Sequence, residues 1–352
     1  MTTSAPMPTA QLVVPCTDLE STVDWFCEVG GFRMLLLRPA DDPTIAVLDG
    51  HGLQVRVDRT AEPGHTEIRI PVEAARTPAT AVGPNGTVLR FVAPDQPDRL
   101  PVNQPAFVVN RASDADFGQG RAGMLYRDLI PDRHGGRYIA SHISIPTGGP
   151  VPDYVHHHHI RFQMIFCNAG WADLVYEDQG PPFRFEAGDC VLQPPHIRHR
   201  VLATSDNFEV VEIGSPAVHD TLRDHDLLLP TGVLDPDRDF GGQRFVRHDA
   251  AAATAEPWRF PGFEFRDFGI GPATDDLATV GTVTAADGAA ITGFTPTDEF
   301  TLWFIRRGRA TLTREGEPFP LGAGDSVVLA PGETYAVTEI ADDLEFLEVR
   351  VP

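Results

Sequence analysis

The sequence contains no lysine, and all 28 of its basic residues are arginine. Without a lysine amine the protein cannot form a Schiff base with pyridoxal phosphate or with a carbonyl substrate, and it has no phosphate-loop lysine. Any fixed cation that holds an anionic substrate must therefore be an arginine or a metal ion.

Cysteine is also scarce, and the four cysteines show no framework spacing, which predicts a reducing, cytoplasmic environment. No apolar run is long enough for a transmembrane helix. The first residues, Met1–Ala10, have neither the basic region nor the apolar core of a secretory signal. The net charge of −22 argues against binding to nucleic acid and to anionic membranes.

The length of 352 residues and the hydrophobic content of 42% predict two or three domains with well-developed cores. Residues 1–58 predict a small βαβββ module, in which a strand and a helix precede three short strands. Residues 59–111 are rich in proline, glycine and polar residues, and they predict a connector with short strands.

The N-terminal module has a recognisable string from Leu12 to Phe32, in which Asp18 precedes the helix and Gly30-Gly31 ends it. This string resembles one module of the glyoxalase, or vicinal-oxygen-chelate, family. That family builds its metal sites from two paired modules and often has a histidine where this chain has Gln11. The expected role here is packing or dimerisation.

The central stretch is rich in histidine. Four consecutive histidines, His156–His159, are followed by Gln163, and a Gly-Asp turn at Asp189 precedes His196 and His199. Imidazole is a good ligand for zinc, iron, nickel and copper. Because side chains alternate along a strand, a His-x-His pair presents both rings on one face.

These two stretches resemble the two sequence motifs of the cupin superfamily. In the first motif Gln163 stands where glutamate is usual, and in the second His196 stands where glycine is usual. The resemblance implies a jelly-roll barrel with one divalent metal; Fe(II) is favoured, and Zn, Ni or Mn are alternatives. The favoured ligands are His156, His158, Gln163 and His199, and the alternative register replaces the first two with His157 and His159.

The plan of this barrel repeats along the chain. Three pairs of matched residues lie 136 to 139 positions apart: Arg127 and Arg266, Gln163 and Thr301, His199 and Tyr335. The repeat predicts a mainly β fold, with jelly-roll (cupin) barrels at residues 112–235 and 236–352. The second barrel is expected to lack a metal, because its ligand positions hold hydroxyl side chains: Thr295, Thr297, Thr301 and Tyr335.

Four further side chains are predicted near the metal. Strand alternation places Arg161 on the face of Gln163, where it either grips a substrate carboxylate or forms an internal ion pair. Tyr138 and His142, on the preceding strand, are predicted to line the mouth of the barrel. His196 is a candidate fifth polar group or proton shuttle.

Alternation also separates the two faces of the strand that follows the histidine run. Cys167 lies on the inner face and is predicted to be a small core residue. The opposite face is wholly apolar, which predicts that the second barrel or a second subunit covers it, and a homodimer is expected. The residues of that face are Ile160, Phe162, Met164 and Phe166.

Three imidazoles and a neutral glutamine resemble the three-histidine iron centres of cupin dioxygenases. The resemblance implies a cytoplasmic iron(II) dioxygenase that binds dioxygen and a small anionic substrate, either aromatic or enolisable. One alternative is a redox-neutral isomerase, lyase or hydrolase that uses zinc, nickel or manganese. The other is a non-catalytic cupin that binds a small molecule.

Overall fold

The chain is described here from a computed structural model, and it divides into two compact units, Met1–Gln96 and Pro97–Pro352. Within the described part of the chain, no helix is long and apolar enough to cross a membrane. The structure describes residues 9–39, 42–72, 78–93, 100–114, 116–120, 123–286 and 289–352.

The first unit begins with the predicted βαβββ order. Its sheet has the strand order β1-β4-β3-β2, with β1 and β4 parallel. The Asp18 carboxylate accepts a hydrogen bond from the Ser21 N–H and so caps the helix. The elements are β1 (Gln11–Pro15), α1 (Leu19–Glu28), β2 (Arg33–Arg38), β3 (Ile45–Gly50) and β4 (Leu53–Asp58).

A second sheet completes this unit, with the strand order β5-β7-β6. Alternate residues of β5 and β7 are buried, and Ile70 and Leu89 join the core that contains Phe26 and Leu48. The predicted connector is therefore divided, because its strands β5 and β7 pack into the core of the first unit. The strands are β5 (Glu67–Pro71), β6 (Thr80–Val82) and β7 (Val88–Val92).

The second unit is built almost entirely of strands. Its first half contains β8 (Val108–Asn110), β9 (Gly118–Gln119), β10 (Leu125–Asp128), α2 (Arg133–Gly136), β11 (Ile139–Ile145), β12 (Gly149–Pro150), β13 (His156–His158), β14 (Phe162–Ala169), β15 (Trp171–Tyr176), β16 (Phe183–Glu186), β17 (Cys190–Leu192), β18 (His199–Thr204), β19 (Phe208–Ser215) and β20 (Thr221–Arg223). Its second half contains β21 (Val246–His248), β22 (Glu256–Pro257), β23 (Phe263–Asp267), α3 (Ile270–Ala273), β24 (Thr279–Ala285), β25 (Ile291–Phe294), β26 (Phe300–Arg307), β27 (Arg309–Arg314), β28 (Glu317–Gly322), β29 (Ser326–Val328), β30 (Tyr335–Thr338) and β31 (Glu345–Val351).

These strands form two jelly-roll barrels in tandem, as the repeat predicts. In the first barrel a sheet of order β21-β17-β14-β19-β11-β10-β9 accompanies one of order β16-β15-β18-β13-β20. In the second barrel the sheets have the orders β22-β23-β24-β31-β26-β29-β8 and β25-β30-β27-β28. Antiparallel sheets that enclose a core in this way give each barrel an interior that can be filled or can hold a ligand.

The two barrels exchange edge strands. Strand β8, which precedes the first barrel, pairs with β29 of the second barrel. Strand β21 falls within the range predicted for the second barrel, but it pairs with β17 of the first. The boundaries predicted at residues 112 and 236 therefore do not separate the barrels, because each barrel takes a strand from the chain that precedes the other.

The Gly-Asp turn of each barrel receives the exchanged segment. The Asp189 carboxylate accepts a hydrogen bond from the Ala250 N–H at 2.9 Å, and Asp325 accepts one from the Ala112 N–H at 2.8 Å. A Cβ atom added at Gly188 would lie only 3.0 Å from the Cβ atom of Ala250. The Gly-Asp pair is thus explained by strand exchange as well as by the turn itself.

The predicted apolar face of β14 is covered by the second barrel of the same chain. Its side chains share one core with the matching face of β26, and the rings of Phe166 and Phe268 stack with centroids 5.8 Å apart. Each fully buried apolar side chain of this kind contributes about 1.5–3 kcal/mol. This face therefore gives no argument for a dimer. The two sets are Phe162, Met164 and Phe166 on β14, and Phe300, Leu302 and Phe304 on β26.

Candidate metal centre

Strand β13 divides the histidine run between its two faces. His156 and His158 are buried, and the antiparallel pairing of β13 with β18 sets His156 opposite His199. One ligand atom from each of these three rings lies within 4.8 Å of the others. The structure therefore brings together the three histidines of the favoured register inside the first barrel.

The other two histidines of the run belong to a different group. His157 and His159 are partly exposed, and their ligand atoms lie within 4.8 Å of His196 rather than beside His199. The alternative register, which replaces the inner pair by these two residues, does not agree with this geometry. The reason is the period of two along β13, which sends alternate side chains to opposite faces.

The inner rings are held by hydrogen bonds at Nδ1. Such bonds fix the orientation of an imidazole and direct metal binding to Nε2. The oxygen neighbours of Nδ1 are Tyr154 O at 2.8 Å for His156, Thr221 Oγ1 at 3.0 Å for His158 and Ile197 O at 3.0 Å for His199.

Gln163 lies in the same cavity and is 2% exposed. Its Nε2 atom donates to Oε1 of Glu212 at 2.8 Å. Its Oε1 atom is buried and has no hydrogen-bond partner among the described residues. A buried carbonyl oxygen without a partner is costly, so this atom is suited to an occupant of the cavity that accepts its lone pair.

Glu212 is a site residue that the sequence reasoning missed. It lies on β19, one strand away from Gln163, and it lines the cavity together with Val210. The available signal was an acidic residue on the face of β19 that otherwise presents the apolar side chains Phe208 and Val210. Such a residue is rarely buried unless it has a partner.

The cavity has a volume of about 290 Å³, which suits a small molecule. Its walls are mainly apolar side chains of β11, β15, β18 and β19. Besides the three inner histidines, Gln163 and Glu212, the polar lining residues are Tyr126, Ser141, Tyr176, Gln193, Arg200, His219 and Thr221.

The prediction that Tyr138 and His142 line the mouth is wrong. The odd-numbered residues of β11 face the cavity, whereas Tyr138, just before β11, and His142 face the second barrel, where their rings lie against Phe300 and Phe304. The Tyr138 hydroxyl donates to Glu299 of the second barrel. The His142 ring lies 3.0 Å from the Glu209 carboxylate, and this hydrogen bond lowers the pKa of Glu209.

Arg161 does not line the cavity. It precedes the first residue of β14, so strand alternation does not fix its direction. Its Nη1 atom lies 3.7 Å from Oε1 of Glu299, which agrees with the internal ion pair. Arg200 lines the cavity instead, and its Nε atom is buried without a hydrogen-bond partner among the described residues.

The structure places His196 at the surface and Cys167 in the core. His196 is exposed and lies in the turn before β18, away from the inner three rings. Cys167 is fully buried in the core of the first barrel, and burial raises the pKa of its thiol. A protonated thiol in a packed core is a poor nucleophile, so Cys167 is a core residue as predicted.

Side chains fill the interior of the second barrel at the place where the first barrel has its cavity. The space among its core side chains measures about 10 Å³, which is no more than the minimum for one water molecule. Trp303 and Phe346 pack in this core, and the Tyr335 hydroxyl bonds to Glu333 at 2.7 Å. Of the other residues at the ligand positions, Thr301 is buried, whereas Thr295 and Thr297 are exposed.

A scan against protein-family models gives no match, and neither does a search of curated proteins. Solved structures do match. Salicylate 1,2-dioxygenase from Pseudaminobacter salicylatoxidans is 14% identical, with a TM-score of 0.52 over 72% of this chain and 86% of that one. Protein Ylba from E. coli is 11% identical, with a TM-score of 0.50 over 72% and 94%. These similarities show that this chain shares its fold with both proteins.

Proposed function

We propose that this protein is a bicupin enzyme with one mononuclear metal site, located in its first barrel. The ligands are His156, His158, His199 and the amide oxygen of Gln163. In this proposal the first unit is a single module of the vicinal-oxygen-chelate type and takes no part in the site. The second barrel serves to cover the apolar face of the first.

The main support for this proposal is the arrangement and hydrogen bonding of these four side chains. Three buried imidazoles converge with Nδ1 already engaged, and in the same cavity a buried amide oxygen finds no hydrogen-bond partner among the residues that the structure describes. Imidazole nitrogens and one neutral oxygen suit iron, manganese, nickel or zinc in the divalent state. The donor set therefore fits a metal of this class.

The reaction that we favour is the oxygenation of a small anionic substrate, aromatic or enolisable, by an iron(II) enzyme. An iron(II) ion in this position would supply the activation of dioxygen beside a bound substrate. All four ligands are neutral, so a divalent ion would keep its full charge for an anionic substrate. The similarity in fold to salicylate 1,2-dioxygenase supports this choice.

The remaining lining residues have separate tasks in this proposal. The apolar walls exclude water and so strengthen electrostatic interactions within the cavity. Arg200 is the arginine among the lining residues and the candidate partner for a substrate carboxylate, a task that Arg161 is not placed to perform. Glu212 holds the amide of Gln163 with its oxygen turned away from the carboxylate.

Glu212 also favours a second candidate function. A carboxylate in an apolar cavity beside a metal can accept a proton from a substrate, as a redox-neutral isomerase, lyase or hydrolase requires. In that case zinc, nickel or manganese would serve as the Lewis acid.

Oxygen consumption distinguishes the two functions. Protein loaded with iron(II) or with zinc(II) would be mixed with salicylate, gentisate or acetylacetone while dissolved oxygen is recorded and the products are followed by NMR. The oxygenase proposal expects oxygen uptake with iron only, and loss of uptake in His199→Ala. Conversion by the zinc form without oxygen uptake would support the redox-neutral function instead.

A further inference from the structure

The outer face of β13 carries a second group of three histidines. His157 and His159 project from this face because His156 and His158 occupy the inner one. His196 reaches the group from the turn before β18, and its backbone N–H donates to the carbonyl of His158 at 3.1 Å. The turn is therefore tied to the strand that carries the other two rings.

The spacing within this outer group suits a metal ion. The ring centroids of His159 and His196 are 4.8 Å apart, and each of these rings lies 6.1 Å from that of His157. One ligand atom from each ring lies within 4.8 Å of the others. Tetrahedral zinc with Zn–N bonds of about 2.0–2.1 Å separates its nitrogens by about 3.3 Å. Small side-chain rotations close the difference.

A second observation points to an occupant. Nδ1 of His157 is buried and has no hydrogen-bond partner among the described residues. Arg198, a cation close enough to act on His157, is already paired with Asp224 at 3.1 Å and lies 3.8 Å from Glu177. The two carboxylates therefore offset the repulsion between this arginine and a bound cation. The chain as a whole carries a net charge of −22, which also favours cation binding.

We propose that His157, His159 and His196 form a second site for a divalent transition metal, distinct from the inner site. Three imidazoles without a carboxylate select zinc, nickel or copper over magnesium and calcium. Because His196 is exposed, the remaining coordination positions face solvent and are filled by water. The outer site therefore exchanges its metal faster, and binds it more weakly, than the buried inner site.

Calorimetric titration of the full chain with zinc chloride, in a buffer that does not bind metal, tests this proposal. The wild type is expected to show two classes of site. His196→Gly removes one outer ligand without backbone strain, because residue 196 has φ of 64° and glycine adopts that conformation freely. Zinc affinity at the weaker site should fall at least tenfold in this variant, while the tighter site is unchanged.

Two further variants complete the test. His65→Ala removes a single exposed histidine from the first unit and should leave both classes of site intact. His199→Ala should abolish the tighter class and keep the weaker one, which separates failure of the outer site from failure of the inner one. A single zinc equivalent in the wild type that His199→Ala abolishes and His196→Gly leaves unchanged, or equal weak binding in wild type and His196→Gly, would overturn the proposal. If His199→Ala does not fold, the wild-type and His196→Gly titrations decide the question.

Discussion

Oε1 of Glu212 accepts a hydrogen bond from Nε2 of Gln163 at 2.8 Å inside the first barrel. A carboxylate has only acceptor atoms, so the amide must present its nitrogen to Glu212. The amide oxygen is then turned away from Glu212, and both residues line the cavity that holds the three inner histidines. This single bond decides which atom of Gln163 is offered to an occupant.

Gln163→Glu tests that relationship. In the metal-free protein two carboxylates would lie about 3 Å apart in a buried site, and we expect a loss of about 2 kcal/mol in the free energy of unfolding. Metal should bind more tightly, because an anionic ligand replaces a neutral one. The affinity for anionic substrates should fall for the same reason. Thermal unfolding with and without metal measures the first two effects.

A matched double variant provides the control. Gln163→Glu combined with Glu212→Gln restores one carboxylate and one amide, so the stability of the metal-free protein should recover. If the single variant unfolds like the wild type with and without metal, then Gln163 lies outside the ligand set.

The inner site should retain close to one metal ion per chain after dialysis against metal-free buffer, because its ligands are buried. His156→Ala and His199→Ala should reduce that content to near zero, since two imidazoles hold a divalent ion far less tightly than three. Tyr335→Phe, at the matched position of the second barrel, should retain the ion. Elemental analysis gives the result, and metal kept by both alanine variants would contradict the assignment.

The contact between the barrels gives a prediction about stability alone. Glu299 accepts hydrogen bonds from Tyr138 and Arg137, whereas Arg161 approaches it only to 3.7 Å. Glu299→Gln should therefore lower the free energy of unfolding by about 2 kcal/mol, and Arg161→Gln by less than about 1 kcal/mol. Both variants should keep wild-type metal content. Loss of substrate affinity in Arg161→Gln would return this arginine to the site.

The same carboxylate predicts a dependence on acid. Burial raises the pKa of Glu299, but the hydrogen bonds from Tyr138 and Arg137 outweigh burial and leave the pKa below its ordinary value of 4.5. Its contribution to stability is therefore present above about pH 4.5 and is lost as the pH falls through the lowered pKa of the folded state. Melting temperatures of wild type and Glu299→Gln, recorded between pH 7 and pH 3, should converge at the acid end.

Spacing along the chain predicted the fold and the inner histidines. The repeat gave the two barrels, and the apolar face of β14 predicted that another sheet covers it. His156, His158 and His199 followed from the motif, because ligand spacing and strand period are local properties. Strand exchange was not predictable in this way, since β8 and β21 are only three residues long and their partners are remote in sequence.

The errors at the site have a physical cause as well. Neighbouring residues of a strand face opposite sides, so an error of one position in the predicted alternation assigns a residue to the wrong face. Tyr138 and His142 were predicted to face the cavity, but they face the interface between the barrels. Arg161 was misplaced because it lies just before its strand begins. Glu212 was missed because its role depends on a neighbouring strand, and such pairing is not a property of local sequence.

The exchange of edge strands has a consequence for how the protein is made. When β8 leaves the ribosome, its partner strand β29 has not yet been synthesised. The separation is large: the Ala112 N–H, just after β8, bonds to Asp325, which lies 213 residues further along the chain and just before β29. The first barrel likewise lacks an edge until β21 has emerged. Gene fragments cut between the barrels would therefore encode two proteins that each expose an unpaired strand edge, a common starting point for aggregation. Neither barrel can be produced as a separate domain unless its exchanged strand, β21 for the first barrel or β8 for the second, is included in the same polypeptide.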